Sequence, residues 1–276
     1  MSLLVIGGVT IDLLHLPGRA APITAPGGAG MYTALAGTGS GTPVTLFAQR
    51  PVPFPELLQP LNGVLNWIGP EIALADLPRL EIAHYGGGKA QLLQADWGAQ
   101  AYLTPESLPA ELSAYGFIHL AVMVTTRRQL EFLHTCRVRS RASISAGANG
   151  KTAHVETETV RELMRLTDSF FMNENEANAV FGSVDNARAE PGKRLFVTLG
   201  ERGVWILDGE TRTHLPAPPV KELDPTGAGD TFCGATLAGL ANGLDPVSAA
   251  RLGVDLASMM ILGIGPEILL RRPQAG

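Results

Sequence analysis

Short apolar runs recur along the chain, and they constrain the fold more than any other feature of the sequence. Six of them have the length and composition of strands buried in a central sheet, at residues 3–6, 44–47, 117–121, 142–145, 169–172 and 195–199. Segments that read as helical lie between them, at residues 33–35, 128–136, 155–166 and 177–181. This alternation predicts a layered α/β domain.

A glycine-rich hairpin is predicted between the strand-like runs at residues 44–47 and 117–121. Residues 80–85 and 90–95 are strand-like and flank three consecutive glycines at 86–88, and residues 97–103 continue in a strand-like manner. No linker, repeat or low-complexity tract divides the sequence. We therefore expect one domain over residues 1–276.

Composition and charge narrow the class of protein. A chain of 276 residues that is 45% hydrophobic can bury a large core, and a net charge of −5 without a long Lys/Arg run disfavours a nucleic-acid binder. Two cysteines suggest no disulfide framework. The opening apolar run is too short for a signal peptide, and no stretch of 18 apolar residues occurs. We expect a cytoplasmic protein with no membrane partner.

Common nucleotide and metal motifs are absent from the sequence. The run from Gly86 to Lys89 is followed by Ala90 and lacks the leading glycine of a Walker A loop. A Rossmann fingerprint fails because Phe232 stands where its third glycine belongs. Neither a His-Glu-x-x-His motif nor a paired Cys-x-x-Cys cluster occurs, so a tightly held zinc is not expected.

Residues 224–232 form a turn rich in small residues that leads into a helix. Helically spaced apolar positions follow this turn and end at Asn242 and Gly243. Gly227, Ala228 and Gly229 thus lie at a helix N-terminus, where free N–H groups can hold an anion. Asp230 is then placed to accept a proton from a hydroxyl group, although an acidic residue here is also typical of a helix cap. The arrangement suits phosphoryl transfer.

Four motifs in order resemble the ribokinase-like (PfkB) family of carbohydrate and nucleoside kinases. The sequence Asp-Pro-Thr-Gly-Ala-Gly-Asp-Thr-Phe-Cys-Gly at 224–234 is similar to the family's C-terminal signature, and Pro-Gly-Gly-Ala-Gly at 26–30 to its N-terminal double glycine. The segment Asn-Glu-Asn-Glu at 173–176 fits its Asn-x-x-Glu motif. Residues 197–203 look like its nucleotide-side hairpin, and Gly-Gly-Val-Thr-Ile-Asp at 7–12 follows the first strand.

The resemblance implies a three-layer ribokinase-like fold, with a mostly parallel central sheet flanked by helices and a small β lid. Lid strands are expected as insertions at about residues 12–26 and 78–104. The implied activity is ATP-dependent transfer of the γ-phosphoryl group to a hydroxyl of a sugar or polyol, which makes the protein a phosphotransferase with an alcohol acceptor. A homodimer is a candidate assembly, since relatives pair through their lid strands.

The same resemblance assigns roles on the phosphate side. Asp230 would be the general base, and the N–H groups of Gly227, Ala228 and Gly229 would form an anion hole. On the nucleotide side, Asn173 and Glu176 would order hydrated Mg²⁺ and phosphates, Glu176 through water; the other interpretation is a helix cap.

Further positions are implied around the nucleotide and a cation. The resemblance puts Thr198, Gly200 and Gly203 near the nucleotide phosphates, although an ordinary hairpin explains them equally. Asp224 and the carbonyl of Thr226 match places where relatives hold a monovalent cation such as K⁺, with the loop at 263–265 nearby.

The substrate side follows the family only in part. Asp12, Gly27 and Gly28 match residues that bind and admit a sugar, but Tyr32 stands where relatives have asparagine, so the ribose-type contact does not carry over. We expect Tyr32 to bind substrate by reshaping the floor of the pocket beside Asp12, so that a cyclic polyol or a nucleoside is preferred over ribose. Asp12 also fits a turn at a strand end. Trp97 and Tyr85 could stack on a base or sugar, or belong to the core.

Two alternative functions stay open from the sequence. A nucleoside kinase of the same fold would need an aromatic or apolar slot for the base. A non-catalytic family member would bind a small ligand without turnover. His119, within an apolar strand, is interpreted as a core residue.

Overall fold

The computed structural model describes residues 1–271, which fold around a nine-stranded sheet. The strands, in chain order, are β1 Leu3–Ile6, β2 Thr10–His15, β3 Ile23–Gly27, β4 Val44–Phe47, β5 Arg50–Val52, β6 Asn66–Ile68, β7 Glu71–Ala73, β8 Arg79–Gly86, β9 Lys89–Asp96, β10 Phe117–Leu120, β11 Ser143–Gly147, β12 Ser169–Asn173, β13 Arg194–Thr198, β14 Val204–Asp208 and β15 Thr211–Leu215. The α-helices are α1 Ala29–Gly39, α2 Thr126–Arg139, α3 Gly150–Val155, α4 Thr157–Leu166, α5 Glu174–Phe181, α6 Ala228–Ala241, α7 Pro246–Met260 and α8 Glu267–Arg271.

The central sheet is mostly parallel. Its strand order is β15-β14-β13-β12-β11-β10-β1-β4-β6, and only β14 and β15 at one edge run antiparallel to their neighbours. Because side chains alternate along a strand, Leu3 and Val5 of β1 enter one core cluster while Leu4 and Ile6 enter the other. This two-sided burial explains why these strands read as continuous apolar runs.

Helices cover both faces of the sheet. The first core cluster contains residues of α1, α6 and α7, and the second contains residues of α2, α3, α4 and α5. The three-layer α/β architecture predicted from the alternating segments is confirmed.

A separate four-stranded sheet, in the order β3-β2-β8-β9, lies over one end of the molecule. Its inner side packs Leu14, Leu16 and Ala25 against Ile82 and Ile264. Almost every residue of β9 is exposed. This small sheet is built from the two segments for which the sequence predicts lid strands.

Two sequence predictions about local structure were wrong, and a third was confirmed but too short. Residues 97–103 do not continue as a strand, because Gly98 adopts a positive φ of 45° and a 3₁₀ helix, Gly98–Tyr102, begins there. Residues 155–166 are not one helix, since the chain turns at Glu156 between α3 and α4. The short helical segment at 33–35 is the centre of the longer α1.

No helix within residues 1–271 is both long enough and apolar enough to cross a membrane.

Candidate active site

A cavity of about 370 Å³ opens between the carboxyl ends of the central strands and the small sheet. Residues at or just after the carboxyl ends of β1, β10, β11, β12 and β13 contribute to its wall, as is common for ligand sites in parallel α/β sheets. These residues include Gly8, Val122, Ala148, Asn173 and Thr198.

Asp12 of β2 lines this cavity and is 2% exposed. Its carboxylate accepts a hydrogen bond from the hydroxyl of Thr10 and occupies the space beside Gly27, where a Cβ would fall 1.9 Å from Oδ2. Any side chain at residue 27 would therefore displace the carboxylate. Burial, and to a lesser degree the charge of Asp224, raises the pKa of Asp12 to about 7.

The Gly227 turn also contributes to the cavity wall. Gly227 caps α6 in the left-handed conformation with φ of 78°, and both Gly227 and Gly229 line the cavity. The N–H of Ala228 already donates to the carbonyl of Pro225 at 3.1 Å, so this group is not free for an anion. The structure thus leaves Gly227 and Gly229 as the better candidates for an anion hole.

Asp230 lies in the first turn of α6 and faces the cavity. The N-cap residue of α6 is Gly227, which has no side chain, so Asp230 is not the N-cap residue itself. Its carboxyl group does interact with its own backbone N–H in the first turn, so stabilisation of the helix start and a functional role concern the same side chain. Burial by the surrounding protein raises the pKa of Asp230 to about 7, although part of its side chain faces the cavity. A carboxyl group with this pKa can both take up and release a proton near neutral pH.

Tyr32 of α1 contacts the Gly227 turn and also lines the cavity. Its ring lies against Gly227, where a Cβ would come within 2.4 Å of ring carbons, and one side of the ring lines the cavity. The hydroxyl is buried and has no hydrogen-bond partner within residues 1–271. Burial, with the nearby charges of Asp224, Asp12 and Asp230, raises the pKa of Tyr32 well above its ordinary range.

Asp224 is completely buried just before the turn. Its Oδ1 accepts from the N–H of Thr226 at 2.9 Å, and its Oδ2 accepts from the N–H of Gly265 at 2.8 Å. His84 of the small sheet approaches Oδ1 with Nε2 at 3.6 Å and contacts the Thr226 hydroxyl at 2.8 Å. These contacts satisfy Asp224 with protein donors and favour a structural role; a monovalent cation here stays a prediction from the resemblance.

Asn173 and Glu176 form a reciprocal capping box at the start of α5. Asn173 accepts from the N–H of Glu176 at 3.0 Å, and Glu176 accepts from both the backbone and side-chain nitrogens of Asn173 at 2.8 and 2.7 Å. Both residues also line the cavity, so the same side chains can cap α5 and contact a ligand. Burial, and then the charge of Asp230, raises the pKa of Glu176 to about 8.

The hairpin between β13 and β14 contributes less to the cavity. Thr198 lines it, whereas Gly200 and Gly203 belong to the tight turn that follows and are not part of the cavity wall in the described residues. Gly203 has a φ of 97°, which a glycine adopts readily. The turn therefore accounts for a glycine at residue 203, and the proximity of Gly203 to a nucleotide stays a prediction.

Apolar and aromatic side chains line the cavity beside these polar groups. They include Leu80, Ile82, Trp97, Val122, Phe171 and Phe232. Tyr85, the other aromatic residue considered from the sequence, is 63% exposed and bonds Gln91 outside the cavity. Of the two predicted stacking residues, only Trp97 is in a position to contact a ligand there.

Three cavity or cavity-adjacent residues were not chosen from the sequence. His119 contacts Ser145 at 2.9 Å and Cys233 at 3.5 Å, and burial lowers its pKa to about 3, so its imidazole is neutral. Gln100 lines the cavity with an unpartnered Oε1. His84 of the small sheet contacts Thr226 and Asp224 at the start of the Gly227 turn. Motif spacing could not identify Gln100 or His84, because each acts through contacts far away in the chain.

A carboxyl group in the first turn of α6 that faces the cavity suits a phosphotransferase with an alcohol acceptor, and comparison with known proteins identifies this class. Residues 81–271 match the family described as "pfkB family carbohydrate kinase". A cytidine kinase of Thermococcus kodakarensis is 30% identical over 268 residues, which cover 93% of this chain and 95% of that one. The chain belongs to the pfkB family of sugar and nucleoside kinases.

Solved structures show the same fold. A nucleoside kinase of Burkholderia thailandensis in complex with inosine superposes with a TM-score of 0.82 at 18% identity, covering 99% of this chain and 95% of that one. A ribokinase of Cryptococcus neoformans in complex with ADP gives a TM-score of 0.79 at 20% identity, covering 99% and 97%. The ribokinase-like fold predicted from the four motifs is therefore confirmed.

Proposed function

We propose that this protein is an ATP- and Mg²⁺-dependent nucleoside kinase. The sequence favoured a sugar or polyol kinase and left a nucleoside kinase as an alternative. One observation carries the proposal: a wall of apolar and aromatic side chains lies in the same cavity as Asp12 and Asp230. A free sugar or polyol presents hydroxyl groups on most sides, whereas a nucleoside combines a polyhydroxyl ring with a flat base. A wall containing Trp97 and Phe171 suits the base.

Asp12 is the proposed anchor for the hydroxyl groups of the sugar ring. A buried carboxylate accepts two strong hydrogen bonds, and the close packing against Gly27 fixes its position. The ring would then lie between Asp12 and the Gly227 turn. This orientation directs one hydroxyl toward Asp230 and the remainder of the substrate toward the apolar wall.

Asp230 is the proposed general base. A carboxylate with a pKa of about 7 accepts a proton from the attacking hydroxyl more readily than an ordinary aspartate does. The N–H groups of Gly227 and Gly229, together with the N-terminal end of α6, would stabilise the negative charge on the transferred phosphoryl group. Asp230 and these N–H groups would therefore act in the same phosphoryl transfer, one on the attacking hydroxyl and the others on the phosphoryl group.

Glu176 is the proposed residue on the side of hydrated Mg²⁺. Its carboxylate faces the cavity, and its pKa is raised by burial and by the nearby charge of Asp230, so a cation in this region would relieve that repulsion. Mg²⁺ bound to ATP supplies charge neutralisation on the phosphates. Asn173 holds the Glu176 carboxylate in place through two hydrogen bonds.

The proposal is tested by measuring ADP release with MgATP across cytidine, uridine, adenosine, inosine, ribose and myo-inositol. We expect the highest kcat/KM with a nucleoside. A higher kcat/KM with ribose or myo-inositol than with every nucleoside would replace this function with that of a sugar or polyol kinase, the activity the sequence favoured first.

A further inference from the structure

Gln100 is a buried polar residue that no motif of the chain explains. It lies in the 3₁₀ helix Gly98–Tyr102, is 6% exposed and contributes to the cavity wall. Its Oε1 is buried with no hydrogen-bond partner within residues 1–271. An amide oxygen buried in this way destabilises the protein unless another group donates a hydrogen bond to it.

The Gln100 carboxamide lies directly over Gly8, which follows β1. A Cβ at residue 8 would fall 2.5 Å from Oε1 and 2.6 Å from Nε2. Gly8 thus makes room for this carboxamide as Gly27 makes room for the carboxylate of Asp12. Each of the two glycines leaves space for one polar group of the cavity.

The backbone that carries Gln100 is held on several sides. The N–H of Gln100 donates to the carbonyl of Trp97 at 3.0 Å, and the N–H of Gly98 donates to Asp96 at 3.0 Å. The side chain of Gln49 donates to the carbonyl of Ala99. A polar group on so constrained a turn is suited to recognition, since little freedom is lost when a ligand binds.

Trp97 and Gln100 belong to one turn and both line the cavity, so this turn contributes an aromatic ring and an amide to the wall. Nucleobases are recognised by this combination, in which the ring stacks and an amide pairs with the donor and acceptor groups of its edge. A sugar or polyol lacks such a planar edge. We propose that Gln100 is a specificity-determining residue that hydrogen-bonds the exocyclic group of the substrate's base, an inference that rests on the proposed nucleoside kinase function.

The test is a cycle that changes the protein and the substrate separately. The protein change is Gln100→Met, which keeps the length of the side chain and removes its hydrogen bonds. The substrate change replaces cytidine with the pyrimidine riboside that lacks the 4-amino group. In the wild-type enzyme we expect this substrate change to lower kcat/KM about tenfold to a hundredfold, because a polar group in the site loses its partner.

In the Gln100→Met variant the two ribosides should have kcat/KM values within about threefold of each other, since the hydrogen bond is already gone. Gln94→Leu is the matched control, because Gln94 is an exposed glutamine of β9 outside the cavity wall. It should keep the wild-type difference between the two ribosides. The same cycle with adenosine and the unsubstituted purine riboside covers a purine-specific enzyme.

The outcomes separate this inference from the function on which it rests. Equal discrimination in the wild type and in Gln100→Met, with good turnover of nucleosides by both, would overturn the role of Gln100 and leave the nucleoside kinase function intact. Turnover of ribose or myo-inositol but of no nucleoside by the wild type would overturn both. A uniform loss for all substrates with a lowered Tm in Gln100→Met would assign the residue a structural role and reject the proposal.

Discussion

The ring of Tyr32 lies directly beneath Gly227, with ring carbons 2.4 Å from the place where a Cβ of residue 227 would be. This contact connects α1, on the Asp12 side of the cavity, with the turn proposed to hold the phosphoryl group. The sequence suggested that Tyr32 reads the substrate. The buried hydroxyl and the packed ring suggest instead that its main contribution is to support the turn.

Tyr32→Phe should therefore keep kcat within about threefold of wild type and leave Tm equal or higher, because it removes only a hydroxyl that has no partner. Tyr32→Asn should lower kcat for every substrate, since the smaller side chain leaves a void under Gly227. Steady-state kinetics with two nucleosides and thermal melts check both variants. A changed ratio between substrates in Tyr32→Asn, with kcat preserved, would return the residue to a substrate-reading role.

Asp230→Asn should bind nucleotide normally and lose about a hundredfold to ten-thousandfold in kcat, because an amide keeps the shape of the side chain but cannot take the proton. Asp255→Asn, at an exposed position of α7, is the control and should behave as wild type. Nucleotide affinity is measured by calorimetry and turnover by ADP release. Turnover close to wild type in Asp230→Asn would rule out the residue as the base.

Glu176→Gln should raise the Mg²⁺ concentration needed for half-maximal activity and lower kcat. It should also lower Tm by only a few degrees, since the capping box loses about one hydrogen bond worth about 1 kcal/mol. Glu174→Gln changes an acidic residue in the same helical turn that is not part of the cavity wall, and serves as the control. If Tm falls in Glu176→Gln while the Mg²⁺ dependence is unchanged, capping is the residue's only role.

Activity and stability should respond oppositely to pH. Asp230 must be ionised to act as a base, so with a pKa of about 7 we expect kcat/KM to fall as pH drops below about 7. Stability should change in the opposite direction and decrease as pH rises, because the pKa values of Asp12 and Asp230 are raised from 3.8 to about 7 on folding. The folded state then binds more protons than the unfolded state between pH 4 and 7.

The stabilisation from these two carboxyl groups is complete below about pH 4 and is lost as pH rises through about 7. Thermal melts from pH 5 to 8 should show this contribution decreasing, and the dependence should weaken in Asp12→Asn. A pH dependence of Tm that is identical in wild type and Asp12→Asn would show that Asp12 has an ordinary pKa in the folded protein.

Local interactions account for what the sequence determined by itself. The capping box joins Asn173 to Glu176, three residues apart, and the Gly227 turn precedes its own helix, so both could be predicted from neighbouring residues. The buried parallel strands could be predicted because strands covered on both faces must be apolar throughout. Four such local patterns in order were sufficient to identify the family.

Tertiary structure alone decided the parts of the cavity that come from distant segments. His84 reaches Thr226 across 142 residues, and Gln100 lies over Gly8 although the two belong to different layers of the fold. Residues 97–103 were mistaken for a strand because their apolar and aromatic content is strand-like, whereas their 3₁₀ conformation follows from the turn at Gly98. Side-chain burial and long-range contacts, which no local pattern records, determine which of these residues can meet a substrate.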